Sequence, residues 1–485
     1  MARIRGGKRE RRQVRVGAPD RALTPNAGLA AVTGLCDRLG VIGELDAAVG
    51  PVKQRDRGFG AGELLTGLAA AQLAGEDFLS GLDRHRADAA GQQITPVPGL
   101  SPATAAGVAR RITGVQWLAV ETGLAAVTGR MMALLPAARA AALTEGPVTI
   151  DLDATDVEVY GRKKRGMAYN YQGQRTGRPH VAAWAETEIV LAADLGSGTD
   201  DPRATAPDLL RRALAGLPGK ARAGGRVAMR ADAGYFAGAL ARAAHDEHIA
   251  FAIGAKRIAP LWRLLDGIGE NDWADATGMD GAQVTVAGYC PDWWPATTRL
   301  LIRRVCLDPG QVSAGPRSRR RRTLHPAQRA LPFPELAGAG AIYGYSFIMT
   351  NLDVTAPDKA VAAEHWYRHR TTIENIFRDS KHGAALRHLP SGYIQVNTAW
   401  MWGALLAASI AAWLHQLTAV TSGQTILAGH GVRGGKAMIA TLRWRLIAVP
   451  GRLVRHAGQL TLRLPPGDSL LAEVLARLRA LPALS

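Results

Sequence analysis

Cysteine is scarce in this sequence. The 485 residues contain three cysteines, Cys36, Cys290 and Cys306. They are too few and too widely separated to build a disulfide framework or a zinc site of the usual spacing. A reducing compartment suits such a chain, and we expect it to work in the cytoplasm.

Long apolar runs are also missing. The most membrane-like segment, AWMWGALLAASIAAWL at 399–414, is shorter than the roughly 20 residues that span a bilayer. The basic N-terminus is not followed by an apolar stretch, which argues against a secretory signal. We therefore expect no membrane partner, and we interpret 399–414 as a buried helix rich in alanine.

Acidic residues are outnumbered. There are 59 Lys and Arg against 41 Asp and Glu, a net charge of +18. This balance favours a polyanionic partner, nucleic acid before membrane. The basic charge is clustered at the N-terminus, at 162–165 (including Lys163, Lys164 and Arg165) and at 317–322 (including Arg319, Arg320 and Arg321). These clusters are expected to contact DNA phosphate, although solvated tails and loops give the same pattern.

With 47% hydrophobic residues, the chain can bury about three cores. Helical periodicity predicts an all-α N-terminal domain. Within it, LSPATAAGVARRIT, ending in Arg110, Arg111 and two further residues, is either a plain helix or the recognition helix of a helix-turn-helix. At 146 the period becomes strand-like. The predicted division is a disordered basic arm at 1–20, a helical domain expected to bind DNA at 21–145, an α/β core at 146–255 and 341–420, a β-rich insertion at 256–340 and a C-terminal region at 421–485.

Strands are predicted first as an antiparallel set and then in alternation with helices. This order predicts an α/β fold with a mixed sheet flanked by helices. It resembles ribonuclease H. The β-rich insertion would interrupt that sheet.

Three acidic residues occupy positions where they could converge. Asp153 ends the first core strand, with Asp151 two residues earlier on the same face. Asp232 ends the strand RVAMRAD, and strand carboxyl ends are where ligands collect in open sheets. The third acid, Glu374, belongs to YRHRTTIENIFRDSK at 367–381. Two magnesium ions need several such oxygen ligands from different elements.

The segment 367–381 reads as one helix with a polar stripe. At 3.6 residues per turn, Tyr367, Arg370, Glu374 and Lys381 share one side, away from the apolar positions. Each acid has a simpler explanation as well. An Asp after a strand is commonly a turn or helix cap, and Arg370 with Glu374 could be a surface ion pair.

The combination is more specific. Tyr367-x2-Arg370-x3-Glu374-x6-Lys381, preceded by IDLDATD and VAMRADAGYF, resembles the DDE transposases of bacterial insertion sequences, in the cut-and-paste group with a Tyr-Arg-Glu-Lys signature. The resemblance covers about 146–420. It implies a ribonuclease H-like core, binding of transposon ends and target DNA, a homodimer on DNA and a nucleoid-associated protein of the bacterial cytoplasm.

The resemblance also implies residue roles. Asp153, Asp232 and Glu374 would hold two Mg²⁺ ions, for which Mn²⁺ could substitute. The Asp-Ala-Thr run at 153–155 favours Asp153 as first ligand, with Asp151 as the alternative. Arg370 and Lys381 would bind phosphate, and Tyr367 would position the same DNA backbone. Relatives with Trp after the signature Arg use aromatic residues near flipped bases, whereas this chain has Thr371; Trp293 and Trp294 are the candidates here.

Two other functions fit parts of the sequence. VTIDLDAT matches the Asp-x-Asp-x-Thr opening of haloacid dehalogenase-like phosphatases, in which the first Asp is the nucleophile. A DNA-binding regulator derived from an inactive transposase would keep the same basic charge. The phosphatase should hydrolyse small phosphomonoesters, and the regulator should bind DNA without cleaving it.

Overall fold

A computed structural model of the chain describes residues 15–55, 57–223, 226–309, 312, 320–338, 341–419, 436–467 and 469–483. Most of the basic arm expected at 1–20 therefore lies outside the described residues. Arg319 also lies outside them.

Helices fill the chain before the main sheet. Their ends carry the expected signals: Ser101 caps α5 by accepting a hydrogen bond from the Thr104 N–H, and Thr113 with Gln116 forms a capping box that starts α6. The helices are α1 Leu29–Leu39, α2 Val41–Val49, α3 Ala61–Ala74, α4 Gly81–Ala87, α5 Pro102–Ala109, α6 Gly114–Leu134 and α7 Ala137–Glu145.

The strands and the later helices alternate along the remaining chain. The strands are β1 Leu23–Thr24, β2 Val148–Ala154, β3 Val157–Glu158, β4 Ala168–Tyr169, β5 Arg175–Trp184, β6 Ile189–Ser197, β7 Val227–Ala231, β8 Ala250–Ala255, β9 Ala274–Asp275, β10 Ala282–Ala287, β11 Arg299–Leu307, β12 Ile342–Thr350, β13 Gly451–His456 and β14 Gln459–Arg463. The later helices are α8 Pro202–Ala215, α9 Gly219–Ala223, α10 Gly238–Asp246, α11 Ala259–Arg263, α12 Pro326–Ala330, α13 Phe333–Ala337, α14 Pro357–Arg368, α15 Thr371–His382, α16 Ile394–Ala419, α17 Ile439–Leu442 and α18 Leu470–Ala480.

One large mixed sheet organises the molecule. Within the described residues it has 11 strands, with the order β3-β5-β2-β7-β8-β12-β11-β10-β9, and with β4 and β6 each paired to β5. β5 is antiparallel to β2 and β6, whereas β7 is parallel to both β2 and β8. Helices such as α8 and α10 pack against the sheet, so the predicted mixed sheet flanked by helices is confirmed.

The strands of 256–340 extend this same sheet. β10 and β11 pair over six residues, and β11 pairs over its whole length with β12, which continues to β8. The region is therefore not a separate β layer. Its strands carry the hydrogen-bond ladder outward from the strands that end near Asp153 and Asp232.

The alanine-rich segment is a buried helix, as predicted. Trp400, Trp402 and Trp413 of α16 are each at most 1% exposed. α16 packs against α3 on one side and β6 on another, and Gly403 permits the close approach of α3. One hydrophobic cluster contains residues from the N-terminal helices, the sheet and α16. No helix in the described part of the chain is long and apolar enough to cross a membrane.

The C-terminal region closes onto the N-terminal one. β13 and β14 form an antiparallel hairpin, and β13 also pairs with β1. The last helix, α18, packs against α1 and α16. This region thereby joins the first helices to the end of the chain.

Candidate active site

Two of the candidate acids end neighbouring parallel strands. β2 and β7 are in register from Val148–Val227 to Leu152–Ala231, so Asp153 and Asp232 each follow the last matched pair. Parallel neighbours lie about 4.8 Å apart. The sequence alternation thus brings two carboxylates side by side at the carboxyl edge of the sheet.

Both carboxylates are also held locally. The Ala154 N–H donates to Asp153 Oδ1 at 2.8 Å. Asp232 caps a short turn, where the Gly234 N–H donates to its Oδ1 at 2.7 Å. The expectation of a capped turn is therefore correct for Asp232. Asp153 instead accepts from the next residue along the strand, and its Oδ2 faces the Arg370 guanidinium at 3.7 Å.

Asp151 has a different environment. It is fully buried, and Arg230, its register partner on β7, donates to both its carboxylate oxygens at 2.7 and 2.9 Å. The Arg230 guanidinium also donates to the Trp366 carbonyl and lies 5.1 Å from the Trp366 ring centroid. This buried, bidentate pair occupies Asp151, which favours Asp153 as the acid that can bind a ligand.

The expectation of one continuous helix at 367–381 is wrong. α14 ends at Arg368 and α15 begins at Thr371, with His369 and Arg370 at the break. Arg370 is the residue that directly precedes α15, and its guanidinium lies 3.7 Å from Asp153 Oδ2. This contact with a carboxylate outweighs the local preference for a continuous helix, which is worth only tenths of a kcal/mol per residue.

Arg370 is an almost buried cation. Its side chain is 11% exposed, its Nε has no hydrogen-bond partner, and its guanidinium lies 5.9 Å from the Tyr367 ring centroid. A buried donor without a partner is costly. A phosphate oxygen at this edge of the sheet would satisfy it.

Tyr367 and Lys381 are bonded to the protein itself. The Tyr367 hydroxyl donates to the Ala231 carbonyl at 3.2 Å, next to Asp232. Lys381 Nζ donates to Thr155 Oγ1 at 2.6 Å and to the Asp156 carbonyl at 2.8 Å. In this structure both side chains therefore fasten α14 and α15 to the strand ends, rather than facing a ligand as expected.

The pKa of the Asp153 carboxyl is raised by its surroundings. Burial raises the pKa of Asp153 to about 7; Arg370 lowers it, whereas the charges of Asp232 and Glu374 raise it further. Like charges held close disfavour ionisation. A bound cation would remove this repulsion.

Asp153 and Asp232 line one cleft of about 720 Å³. Other lining residues include Asp156, Arg178, Asp200, Asp201, Lys256, Tyr169 and Tyr171. Glu374 lies in the first turn of α15 and is exposed. Among the described residues no three Asp, Glu, His or Cys side chains are arranged as a metal-binding group. The charge of Glu374 nevertheless acts on Asp153 and Asp151, so Glu374 is a neighbour of both, and its part in a three-acid cluster stays a prediction.

A divalent cation nevertheless fits the pair. Mg²⁺ is usually held by one or two carboxylates together with phosphate oxygens and water. Asp153 and Asp232 provide that donor set, and the pKa of Asp153 is raised mainly by burial, with a smaller contribution from the charge of Asp232. Of the three expected ligands, Asp153 and Asp232 are therefore the two whose positions suit a divalent cation.

The expected DNA-contacting basic residues divide into two groups. Lys163 and Arg165 are exposed, whereas Lys164 Nζ donates to the Leu389 carbonyl. Arg320 is exposed, but Arg321 is 8% exposed and donates to the carbonyls of Arg329 and Leu331. Arg321 thus has a structural contact where a phosphate contact was expected.

The two tryptophans of 256–340 also differ. Trp294 is 4% exposed and packs on Phe236 and Phe251, whereas Trp293 is 60% exposed.

Arg230 was not identified from the sequence. Its signal was available: Asp-x-Asp on one strand and Arg-x-Asp on its parallel neighbour place Asp151 beside Arg230 and Asp153 beside Asp232.

Comparisons with known proteins complete this description. No curated protein matches the chain. Among solved structures, a cryo-EM structure of a piggyBac transposase synaptic complex with hairpin DNA aligns with 86% of this chain and 79% of that chain, at 9% identity and a TM-score of 0.37. The family described as transposase DDE domain group 1 matches residues 7–314 and 335–483, nearly the whole chain. The chain therefore belongs to the DDE transposase family.

Proposed function

We propose that the protein is a DNA transposase that binds the terminal inverted repeats of a transposon and catalyses Mg²⁺-dependent strand cleavage and strand transfer. The observation that carries this proposal is the pair Asp153 and Asp232 at the ends of β2 and β7, with Arg370 against them. Family membership supports the same function.

The strand order supports a ribonuclease H-like core. Among the longer strands of the core, β2 and β6 each pair antiparallel with β5, and β7 and β8 then follow parallel to β2. Alternating helices separate the parallel strands. The extension by β9–β11 corresponds to the insertion that the sequence indicated.

Each residue has a chemical role in this proposal. Asp153 and Asp232 would hold divalent cations, with Glu374 completing the set when DNA is bound. When bound, the ions lower the pKa of water or a DNA 3′-hydroxyl and stabilise the departing oxygen. Arg370 would bind a phosphate oxygen as a fork of N–H donors. Tyr367 holds the chain next to Asp232, and Lys381 holds α15 against the end of β2.

The phosphatase alternative is disfavoured by the position of Asp151. The first Asp of that motif must reach substrate as a nucleophile. Here Asp151 is 0% exposed and bound by Arg230 on both oxygens. The other alternative is an inactive DNA-binding regulator, and a DNA cleavage assay distinguishes it from an active transposase.

Partners and location follow from the proposed reaction. Cutting two transposon ends together would require a homodimer on DNA, and target DNA would enter for strand transfer. The protein would act in the bacterial cytoplasm, in association with the nucleoid. The net charge of +18 supports binding to a polyanion.

The test uses linear DNA containing the sequences that flank the reading frame. We expect the purified protein with Mg²⁺ to cut that DNA at inverted repeats. Asp232→Asn should bind it with unchanged affinity and leave it uncut. Hydrolysis of a small phosphomonoester without cutting of DNA would overturn the proposal, and binding without cutting by the wild type would favour the regulator.

A further inference from the structure

An exposed tyrosine lies beside two arginines, and none of the three is among the residues that line the cleft. Tyr393 is 44% exposed. The guanidinium carbon of Arg110 lies 5.1 Å from its ring centroid, and that of Arg165 lies 5.7 Å from it. We call Arg110, Tyr393 and Arg165 the arginine–tyrosine surface.

Three distant parts of the chain form this surface. Arg110 directly follows α5, Arg165 lies in the turn between β3 and β4, and Tyr393 directly precedes α16. From the sequence, Arg165 belongs to a basic cluster expected to contact DNA phosphate, Arg110 belongs to a possible recognition helix, and Tyr393 has no predicted role. Their meeting joins the helical N-terminal part to the sheet.

The two guanidiniums carry charge that the protein does not neutralise. No hydrogen bond or ion pair joins either guanidinium to another residue in the described ranges, although exposed arginines elsewhere, such as Arg84 and Arg203, pair with carboxylates. Two like charges on one ring repel each other. An anion bound beside them would remove that repulsion, and each guanidinium offers five N–H donors.

The backbone under the surface is fixed. The Arg165 N–H donates to the Gly392 carbonyl at 3.0 Å. Asn397 accepts from the Ser391 N–H at 2.9 Å and donates to the Ser391 carbonyl at 2.9 Å. The Tyr393 N–H donates to Ser391 Oγ at 3.1 Å. A surface ordered before binding loses little entropy when the partner arrives.

A short segment of chain connects the arginine–tyrosine surface to the cleft. The turn that carries Arg165 leads into β4, whose Tyr169 lines the cleft with Asp153. Lys163, in the same turn, is exposed. A partner that lies in the cleft and extends along this turn would reach the arginine–tyrosine surface.

We propose that the arginine–tyrosine surface binds the phosphate backbone of duplex DNA outside the cleavage site. The inference rests on the proposed function in taking DNA as the partner. Arginine forks match phosphate oxygens, and the aromatic face keeps both guanidiniums in place by cation–π attraction. Because the contact is to phosphate, it carries no sequence preference.

The test measures the affinity of the full chain for duplex DNA as a function of salt, without Mg²⁺. Removing two phosphate contacts in Arg110→Gln/Arg165→Gln should reduce the slope of log affinity against log salt by about 1.8. The matched control is Arg84→Gln/Arg222→Gln, which removes the same charge from two exposed ion pairs outside the cleft and should leave the slope unchanged.

A second pair of variants separates the ring from its hydroxyl. Tyr393→Phe should bind as the wild type does, since the ring holds the guanidiniums, whereas Tyr393→Leu should bind several-fold more weakly. An unchanged slope in the double variant would overturn the inference. So would a loss of affinity confined to single-stranded DNA.

The proposed function is scored separately, by cleavage of the flanking DNA with Mg²⁺. Wild-type protein that binds duplex DNA through this surface without cutting it would contradict the proposed function alone. Wild-type protein that cuts while the double variant keeps the full salt slope would contradict this inference alone.

Discussion

At the scale of single residues, two aspartates on one strand have opposite roles. Asp151 is neutralised by Arg230 in the interior, whereas Asp153 faces the cleft beside Asp232. Their spacing of two puts both on the same face of β2. The distinction between them comes from the neighbouring strand, which offers Arg230 to one and Asp232 to the other.

The first prediction concerns Asp153. Asp153→Asn removes a carboxylate whose ionisation is opposed by burial and by Asp232 and Glu374. We expect the free energy of unfolding at pH 8, without divalent cations, to rise by roughly 1–2 kcal/mol, while DNA cleavage is lost. Thermal or denaturant unfolding and a cleavage assay measure the two effects. A fall in stability would show that Asp153 is a structural acid.

Asp151 gives the opposite prediction. Asp151→Asn leaves Arg230 buried without its carboxylate, and breaking a buried pair costs about 3 kcal/mol or more. The loss should appear in denaturant unfolding at neutral pH. Stability equal to that of the wild type would contradict the assignment of Asp151 to the interior.

Gly254 provides a steric test of the site. A Cβ built there would lie 2.6 Å from the Tyr367 hydroxyl and 2.8 Å from the Ala233 N. Gly254→Ala should therefore displace Tyr367 or the turn after Asp232, with a loss of about 1–3 kcal/mol in stability. The companion variant Tyr367→Phe relieves part of the clash. If the double variant were no more stable than Gly254→Ala, the clash would lie elsewhere.

At the scale of elements, the sequence predicted the strands better than the signature segment. β7 coincides with most of the predicted strand RVAMRAD, because apolar residues and the following Asp and Gly mark it locally. The break between α14 and α15 has no such mark. The break accompanies the contact of Arg370 with Asp153. These two residues are far apart in sequence, and only the folded protein brings them together.

The same limit applies to the lysine of the signature. Helical spacing placed Lys381 on a polar face, correctly, but could not identify Thr155 and the Asp156 carbonyl as its partners. Likewise, 256–340 was predicted as β-rich, and it contains β9, β10 and β11 together with the short helices α11, α12 and α13. Pairing of β11 with β12 involves residues far apart in sequence, so its membership of the main sheet could not be read locally.

Glu121 links three elements and gives a pH dependence. It lies on α6, accepts from the Ala193 N–H of β6 at 3.1 Å and pairs with Arg212 of α8. Burial raises its pKa to about 7, against an ordinary value of 4.5. Between these values the folded protein binds more protons than the unfolded chain, so this residue's contribution to stability grows as pH falls from about 8 to about 5.

The matching variant is Glu121→Gln. The difference in unfolding free energy between wild type and variant should change in favour of the wild type by about 2–3 kcal/mol over that pH range. Denaturant unfolding at several pH values measures it. A difference that does not vary with pH would contradict the raised pKa of Glu121.

At the scale of the whole molecule, the helical N-terminal part and the sheet share a core. Gln72 of α3 donates to the Trp400 carbonyl of α16 at 3.2 Å, and Arg443 donates to the carbonyls of Leu73 and Gln72. The sequence pattern changes at the predicted boundary at 145, but the residues on both sides of it share one apolar core. Composition alone could not show which face of α16 those helices cover.

Shared packing predicts shared unfolding. Residues 146–485 expressed without the first helices should aggregate, because the face of α16 that packs on α3 would be exposed. The full chain should unfold in one main transition by calorimetry. A stable, monomeric fragment 146–485 with native circular dichroism would contradict this expectation.

The central claim is that Asp153 and Asp232 together hold a divalent cation at DNA. The most direct measurement is the anomalous scattering of Mn²⁺ in crystals of the protein with its transposon-end DNA. We predict a Mn²⁺ peak about 2.1–2.2 Å from carboxylate oxygens of both residues. DNA bound in the cleft with Mn²⁺ located away from both carboxylates would contradict the account.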